Sequence, residues 1–140
     1  MSKIYDTLII GGGPAGLSAA LYASRSKMST LVFEKARMGG QIVITADVAN
    51  YPGSVCKEGA EHPTGPEIVA RMVQQAEDFG AQRIMKEIKK VNLSDKIKTI
   101  ETADGEIYQG TSVLLATGAV PRKLGCIGEK EFTGKGVSYC

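Results

Sequence analysis

Three glycines near the N-terminus have the spacing of a dinucleotide-binding turn. Gly11, Gly13 and Gly16 follow a short apolar run in the pattern Gly-x-Gly-x-x-Gly. The first glycine of such a turn permits a tight bend, the second lets the backbone approach a pyrophosphate, and the third lets a helix pack closely on a strand. The N–H groups at the helix start, with a partial charge of roughly +0.5, suit a diphosphate, and Pro14 is compatible with a first helical turn. Glycine-rich turns also occur for ordinary steric reasons, so the context decides.

An acidic residue stands at the distance from these glycines at which a ribose is bound. Glu34 ends a second apolar run, and an acidic residue roughly 20 positions past the glycines is typical of ribose recognition. Its carboxylate can accept hydrogen bonds from both ribose hydroxyls and repels a 2′-phosphate. The position therefore favours FAD or NAD over NADP. The alternative is a solvated glutamate at the end of a strand.

The segment 35–55 is irregular and carries two amide side chains. Gln41 follows two glycines, and Asn50 precedes Tyr51-Pro52-Gly53. Ordered loops of this length are usually functional. An amide both donates and accepts hydrogen bonds, which suits the edge of an isoalloxazine ring. The alternative is that the two amides only cap their own loop.

A further apolar run, residues 112–119, predicts a buried strand that ends in small residues. Ala116, Thr117 and Gly118 would lie at its carboxyl end. Ligands of open α/β sheets bind at the carboxyl ends of strands, so these residues are expected beside the first glycine turn. The alternative is a strand that simply ends in a glycine turn.

A β-α-β unit would bring these positions together. Strands are predicted at residues 5–10 and 30–34, with a helix from Pro14 to about Ser26 between them. A second helix is predicted to begin at a capping box formed by Thr64 and Glu67 and to run to about Phe79. Extended pieces follow at 82–85, 87–93, 96–102 and 106–109. They predict a small antiparallel meander, with an Asp-Gly hairpin turn, inserted before the strand at 112–119.

The composition bounds the class of protein. The chain has 140 residues, 43% of them hydrophobic and 23% charged, and a net charge of +2, which indicates one globular domain. Without a basic run interleaved with aromatic residues, nucleic acid is not expected as a partner. No apolar run approaches the length of roughly 18 residues that a membrane span needs. The start of the sequence lacks a secretory leader, so a cytoplasmic location is expected.

The cysteines and the histidine predict neither a disulfide scaffold nor a metal site. The three cysteines are odd in number and widely spaced. Cys56 and the single histidine, His62, occur in a polar loop and are interpreted as surface residues. Residues 121–136 are interpreted as a linker.

The pieces together resemble the N-terminal part of low-molecular-weight thioredoxin reductases, in the flavoprotein superfamily with two dinucleotide-binding domains. The resemblance covers nearly all of the chain. The matching pieces are the turn at 11–16, Gly39-Gly40-Gln41, Asn50-Tyr51-Pro52-Gly53, Thr64-Gly65-Pro66, Ala116-Thr117-Gly118 and the terminal run 134–140.

The resemblance implies FAD as the cofactor and a role for each matching residue. The pyrophosphate would be held by Gly11, Gly13, Pro14, Ala15 and Gly16. The adenosine ribose would be held by Glu34, with Lys35 also among the cofactor-binding residues. The flavin side would be approached by Gly40, Gln41 and Asn50, and Ala116, Thr117 and Gly118 would close over the cofactor. Cys140 would be the first cysteine of a Cys-x-x-Cys pair, which receives electrons from the flavin and reduces thioredoxin.

The implied fold is an α/β, Rossmann-like layer fold for FAD or NAD(P), with a parallel core sheet and a small antiparallel meander. It would be an incomplete domain. Residues 1–119 would be the N-terminal segment of a discontinuous FAD-binding domain, and 120–140 a linker with the first residues of a nicotinamide and redox-disulfide domain. The sheet is then expected to expose an edge and an apolar face.

The activity implied for the full-length protein, expected as a homodimer, is electron transfer from NADPH through FAD to a disulfide and on to thioredoxin. The fragment alone is expected to be inactive. Three other interpretations stay open: a non-catalytic FAD-binding module, an NAD-binding dehydrogenase domain, and a relative that takes electrons from ferredoxin or another donor.

Overall fold

The computed structural model describes residues 3–139, and its centre is one six-stranded sheet. The strands are β1 (Ile4–Ile10), β2 (Thr30–Glu34), β3 (Gln82–Met85), β4 (Ile88–Asn92), β5 (Lys98–Thr102) and β6 (Ile107–Leu115). The helices are α1 (Pro14–Arg25), α2 (Gly65–Asp78) and the short α3 (Glu129–Phe132), and a 3₁₀ helix spans Gly40–Ile44. The strand order is β3-β2-β1-β6-β5-β4, so the expected α/β layer fold is confirmed.

The parallel half of the sheet is built by strand-helix-strand crossovers. β1 pairs in parallel with β2 and β6, and β2 pairs in parallel with β3. Helices α1 and α2 cover one face of these strands, because each presents a stripe of apolar residues at helical spacing. The core on that face includes Ile9, Leu17, Ala20, Val32, Ile68, Val69 and Met72.

The other face of the sheet has a second core, in which residues of the parallel strands pack against residues of the antiparallel half. Leu8, Leu31, Phe33 and Ile100 are fully buried there. The ring of Phe33 meets that of Tyr108 edge to face, with 5.1 Å between the centroids. The meander therefore packs across the face that the helices leave open.

The sheet curls strongly, because its two edge strands are neighbours in the sequence. Lys86 and Glu87 alone separate β3 from β4, which stand at opposite ends of the strand order. Three residue steps span at most roughly 10 Å. In a flat sheet, five strand spacings would put these edges roughly 24 Å apart. The two edges must therefore approach each other at residues 86–87.

The predicted meander was wrong in two respects. Residues 106–109 and 112–119 were expected as separate strands, but β6 runs without interruption through Gly110 and pairs with both β1 and β5. Glycine is needed at position 110 of this strand because a Cβ there would approach the Leu8 side chain to 2.7 Å. The piece at 82–85 joins the parallel edge instead of an antiparallel pair, because the α2 crossover returns it in the direction of β2.

The carboxyl end of β6 also differs from the prediction. The strand ends at Leu115, not Ala119, and Leu114 and Leu115 are 39% and 61% exposed instead of buried. Between residues 3 and 139, no helix has the length and apolar character needed to cross a membrane.

Candidate cofactor site

A cavity of about 490 Å³ lies at the carboxyl ends of β1 and β6. Its walls come from the glycine turn, the 3₁₀ helix and the residues after β6. Most of the sequence-predicted binding residues line it: Gly11, Gly13, Pro14, Ala15, Glu34, Gly40, Gln41, Ala116, Thr117 and Gly118. Sequence reasoning missed Ile42 and Leu115, although both are apolar neighbours of residues that it singled out.

Two glycines of the turn are required by packing within the chain. Gly11 has φ +111°, and a Cβ there would lie 2.1 Å from the carbonyl oxygen of Ala116. A Cβ on Gly16 would lie 1.9 Å from the carbonyl oxygen of Gly11. Gly16 does not line the cavity; it lets α1 pack against the turn that follows β1. The steric interpretation therefore explains both residues.

Gly13 is not explained by packing. Its backbone has φ −77° and ψ −178°, a region open to any residue. The nearest atom to a Cβ placed on Gly13 is the carbonyl oxygen of Gly39, at an unstrained 3.9 Å. The missing side chain leaves open space in the cavity, directly at the start of α1.

The N-terminus of α1 offers backbone donors to this space. Gly13 is the N-cap residue and has no side chain, so no capping hydrogen bond is made, and the first turn carries no acidic residue. Pro14 occupies the first helical position, where its missing N–H costs nothing. The N–H groups of the first turn and the helix dipole together favour an anion here.

Glu34 is held in place by backbone N–H groups. Its Oε2 accepts a hydrogen bond from the N–H of Gly12 at 3.0 Å, and its Oε1 accepts one from the N–H of Lys35 at 2.8 Å. The N–H of Ala36 is a further donor to Oε1, at 3.3 Å. These bonds fix the carboxylate at the rim of the cavity instead of leaving it as a freely solvated strand end.

A second cavity of about 260 Å³ adjoins the first, and Glu34 lines both. Phe33 and Ile88 form part of its apolar surface, and Lys35 and Lys86 are on its polar side. A flat apolar group with a polar edge would fit such a lining. Lys35, predicted as a binding residue, lines this second cavity and not the first.

The 3₁₀ helix that carries Gln41 is joined across the first cavity to the segment after β6. Gln41 Nε2 donates a hydrogen bond to the carbonyl oxygen of Ala119 at 3.3 Å, which links the 3₁₀ helix to the segment after β6. Gly40 and Gly118 have φ values of +58° and +67°, so glycine suits the backbone at both positions. The fold thus brings together residues about 80 positions apart.

Besides Lys35, two predicted positions among the described residues, Asn50 and Gly16, do not line the first cavity. Asn50 is exposed and lines neither cavity, Gly16 has its packing role, and Cys140 lies outside the described residues. In the polar loop, Cys56 is half-buried, with its Sγ 3.8 Å from the carbonyl oxygen of Glu61. Among residues 3–139, no group of His, Cys, Asp and Glu is arranged to hold a metal ion.

Comparison with known proteins gives a match over almost the whole chain. A family model for the pyridine nucleotide-disulphide oxidoreductases matches residues 5–140. A thioredoxin reductase of Peptoclostridium litorale is 56% identical over 140 residues, and that of Listeria monocytogenes is 46% identical over 138. These alignments cover 100% and 99% of this chain but 42% and 41% of the relatives, so the chain spans less than half their length.

A solved structure has the same fold over the full length of the chain. The thioredoxin reductase of Streptococcus pyogenes MGAS5005 superposes with a TM-score of 0.82 at 41% sequence identity. The superposition covers 100% of this chain and 44% of that structure. The resemblance to thioredoxin reductases inferred from the motifs is confirmed.

Proposed function

The chain belongs to the pyridine nucleotide-disulphide oxidoreductase family, and from that premise we propose that it is the FAD-binding portion of a thioredoxin-reductase-like flavoprotein. In the whole protein, electrons would pass from NADPH through FAD to a Cys-x-x-Cys disulfide and then to thioredoxin or a similar protein. Cys140 is the proposed first cysteine of that pair. The names of the relatives support the thioredoxin-reductase part of this proposal. We further propose that the whole protein is a cytoplasmic homodimer.

The observation that carries the FAD proposal is the unexplained Gly13. Chain packing accounts for Gly11 and Gly16, whereas a side chain at Gly13 would fit the protein and would instead fill the cavity. A glycine that the fold does not need, at an uncapped helix N-terminus, is what close approach of a diphosphate to the backbone requires.

The two adjoining cavities suit the two halves of a dinucleotide. With the diphosphate at Gly13 and the ribose at Glu34, the adenine would enter the 260 Å³ cavity beside Phe33. The flavin half would extend along the 490 Å³ cavity toward Gly40 and Gln41. Bound FAD would supply the electron-transfer chemistry, while these residues bind and orient it.

Titration of the chain with FAD and, separately, with NAD tests the proposal. We expect a yellow flavin absorption band to remain with the protein after gel filtration, and no comparable retention of NAD. An NAD-binding dehydrogenase domain would give the opposite result. Retention of neither nucleotide would refute nucleotide binding by this chain.

Gly13→Val tests the pyrophosphate assignment. The added side chain should weaken FAD binding by at least about a hundredfold, because it occupies the approach of the diphosphate. The stability without FAD should change by only about 1 kcal/mol, since a Cβ at this position meets no atom closer than 3.9 Å and valine is only a poorer N-cap residue than glycine. Ser18→Val, on the exposed side of α1, is the matched control and should retain FAD. Unchanged flavin content in Gly13→Val would show that the diphosphate lies elsewhere.

A further inference from the structure

An ion-pair cluster links the meander to the wall of the 260 Å³ cavity. Lys86, directly after β3, places its Nζ 2.7 Å from Asp104 Oδ2 and 2.6 Å from Glu106 Oε1. The two carboxylates belong to the turn between β5 and β6 and to its flank. We call Lys86, Asp104 and Glu106 the Lys86 clamp.

Each carboxylate of the clamp is anchored by a second contact. Thr102, which is fully buried, donates from Oγ1 to Asp104 Oδ1 at 2.5 Å, and the Tyr108 hydroxyl donates to Glu106 Oε2 at 2.5 Å. Hydrogen bonds from Lys86 and Thr102 lower the pKa of Asp104 to about 2, and those from Lys86 and Tyr108 lower the pKa of Glu106. The hydrogen bonds that Lys86 donates to both carboxylates raise its own pKa. All three groups are therefore charged at neutral pH.

The clamp holds the short segment where the curled sheet closes. Lys86, Glu87 and Ile88 all line the 260 Å³ cavity opposite Phe33 and Glu34. A backbone hydrogen bond joins the same two segments: the Ala103 N–H donates to the carbonyl oxygen of Glu87 at 2.8 Å. The position of this cavity wall thus depends on residues of a hairpin turn outside the parallel half of the sheet.

The geometry does not favour a direct phosphate contact by Lys86. Its ammonium is already engaged by two carboxylates, and the cluster has one more negative than positive charge. A further phosphate would meet repulsion from Asp104 and Glu106. The role that fits these contacts is to position the wall.

We propose that the Lys86 clamp is a positioning element for the adenosine half of the cofactor, so that it contributes to the affinity for FAD but not to that for FMN. The inference rests on the proposed FAD site. FMN shares the flavin and one phosphate with FAD but lacks the adenosine half, so it does not report on the 260 Å³ cavity.

The test measures dissociation constants of FAD and FMN for the wild-type chain and three variants. Lys86→Met removes both ion pairs and keeps the aliphatic stem, and Lys86→Arg restores the charge. Lys89→Met is the matched control, because Lys89 pairs with Glu101 at 3.0 Å on the same meander but lines neither cavity. Thermal unfolding of each chain without flavin is recorded in parallel.

We expect Lys86→Met to weaken FAD binding about five- to tenfold and FMN binding by less than about twofold, the range for loss of two partly exposed ion pairs. Lys86→Arg should restore most of the FAD affinity, and Lys89→Met should change neither. Should Lys86→Met unfold more readily than Lys89→Met, Glu106→Gln, which retains one ion pair, is the deciding variant. Glu106→Gln should weaken FAD binding less than Lys86→Met does and should leave FMN binding unchanged.

Equal losses for FAD and FMN, or an unchanged FAD affinity in both Lys86→Met and Glu106→Gln, would overturn the inference. Equal affinity of the wild-type chain for FAD and FMN would also overturn it, while flavin binding itself would stand. A wild-type chain that binds neither flavin would instead refute the proposed function on which the inference rests.

Discussion

The two long helices of this domain begin in opposite ways. The N-cap residue of α1 is Gly13, which offers no capping side chain and faces the 490 Å³ cavity. The N-cap residue of α2 is Thr64, whose Oγ1 accepts a hydrogen bond from the Glu67 N–H at 3.3 Å while Glu67 Oε2 accepts one from the Thr64 N–H at 2.9 Å. The second helix satisfies its own N-terminal donors, whereas the first leaves them directed at the cavity.

The same helix starts also share a feature that has nothing to do with ligands. Each has a glycine in its first turn whose Cβ would collide with a carbonyl oxygen: Gly16 with that of Gly11 at 1.9 Å, and Gly65 with that of Ile42 at 1.8 Å. A glycine at a helix start is therefore weak evidence for a nucleotide. The informative difference is the N-cap residue and the space beside it.

The largest expected effect comes from adding a methyl group to the glycine in the first turn of either helix. Gly16→Ala and Gly65→Ala should each destabilise the chain by about 2–3 kcal/mol, because the added methyl group forces backbone apart. Gly13→Ala is the matched control and should change the stability by less than about 1 kcal/mol, because its methyl group meets no close atom and the poorer N-cap preference of alanine is opposed by the restricted unfolded chain. Urea unfolding of the three variants measures the difference. Equal stability of all three would mean that the close contacts at Gly16 and Gly65 relax without cost.

The next-largest effect distinguishes the capping of α2, which contributes to stability, from FAD binding at the start of α1. Thr64→Ala should cost about 1 kcal/mol of folding free energy, because the capping box of α2 loses its acceptor. FAD affinity should change by less than about twofold, since Thr64 lines neither cavity and its effect is on stability. Thr64→Ser, which keeps the hydroxyl, should restore most of the stability in urea unfolding. A loss of FAD binding comparable to that of Gly13→Val would contradict the division of roles.

Giving α1 a cap should make the two helices alike. Gly13→Ser should stabilise the apo chain by about 0.5 kcal/mol, because serine caps a helix slightly better than glycine and restricts the unfolded chain. FAD binding should weaken about tenfold, since the side chain enters the space left for the diphosphate. Urea unfolding and flavin titration of this one variant measure the gain in stability and the loss of FAD affinity. A gain in both quantities would show that the cavity tolerates a side chain there.

The smallest effect is electrostatic and belongs to α2. Hydrogen bonds from Lys57, whose Nζ is 2.6 Å away, and from Thr64 lower the pKa of Glu67 from 4.5 to about 2. Because the folded-state pKa of Glu67 lies below its unfolded-state pKa, the ionised carboxylate stabilises the fold. This stabilisation is complete above pH 4.5 and is lost as the pH falls toward 2. In urea unfolding between pH 7 and 2, the free energy of unfolding should fall less steeply with pH in Glu67→Gln than in wild type. Identical slopes would exclude Glu67 as a contributor.

Much of the local structure could be predicted because it depends on neighbouring residues. The capping box at Thr64, the helix stripe that follows it and the turn at Gly11 were all predicted where the structure has them. The continuous strand through Gly110 could not be predicted, because glycine is needed there to make room for the side chain of Leu8, about 100 residues earlier. The parallel pairing of β3 was missed because a four-residue strand carries no sign of its partner.

The sequence by itself determined most of the elements, the family resemblance and most of the residues that line the candidate site. Only the tertiary structure separated Gly13, beside open space, from Gly16, which packs on a carbonyl group. Only the tertiary structure placed Lys86 between Asp104 and Glu106, at the closure of the curled sheet. The physical reason is that spacing along the chain sets local backbone geometry, whereas steric room and ion pairing depend on atoms that the fold brings together from distant parts of the sequence.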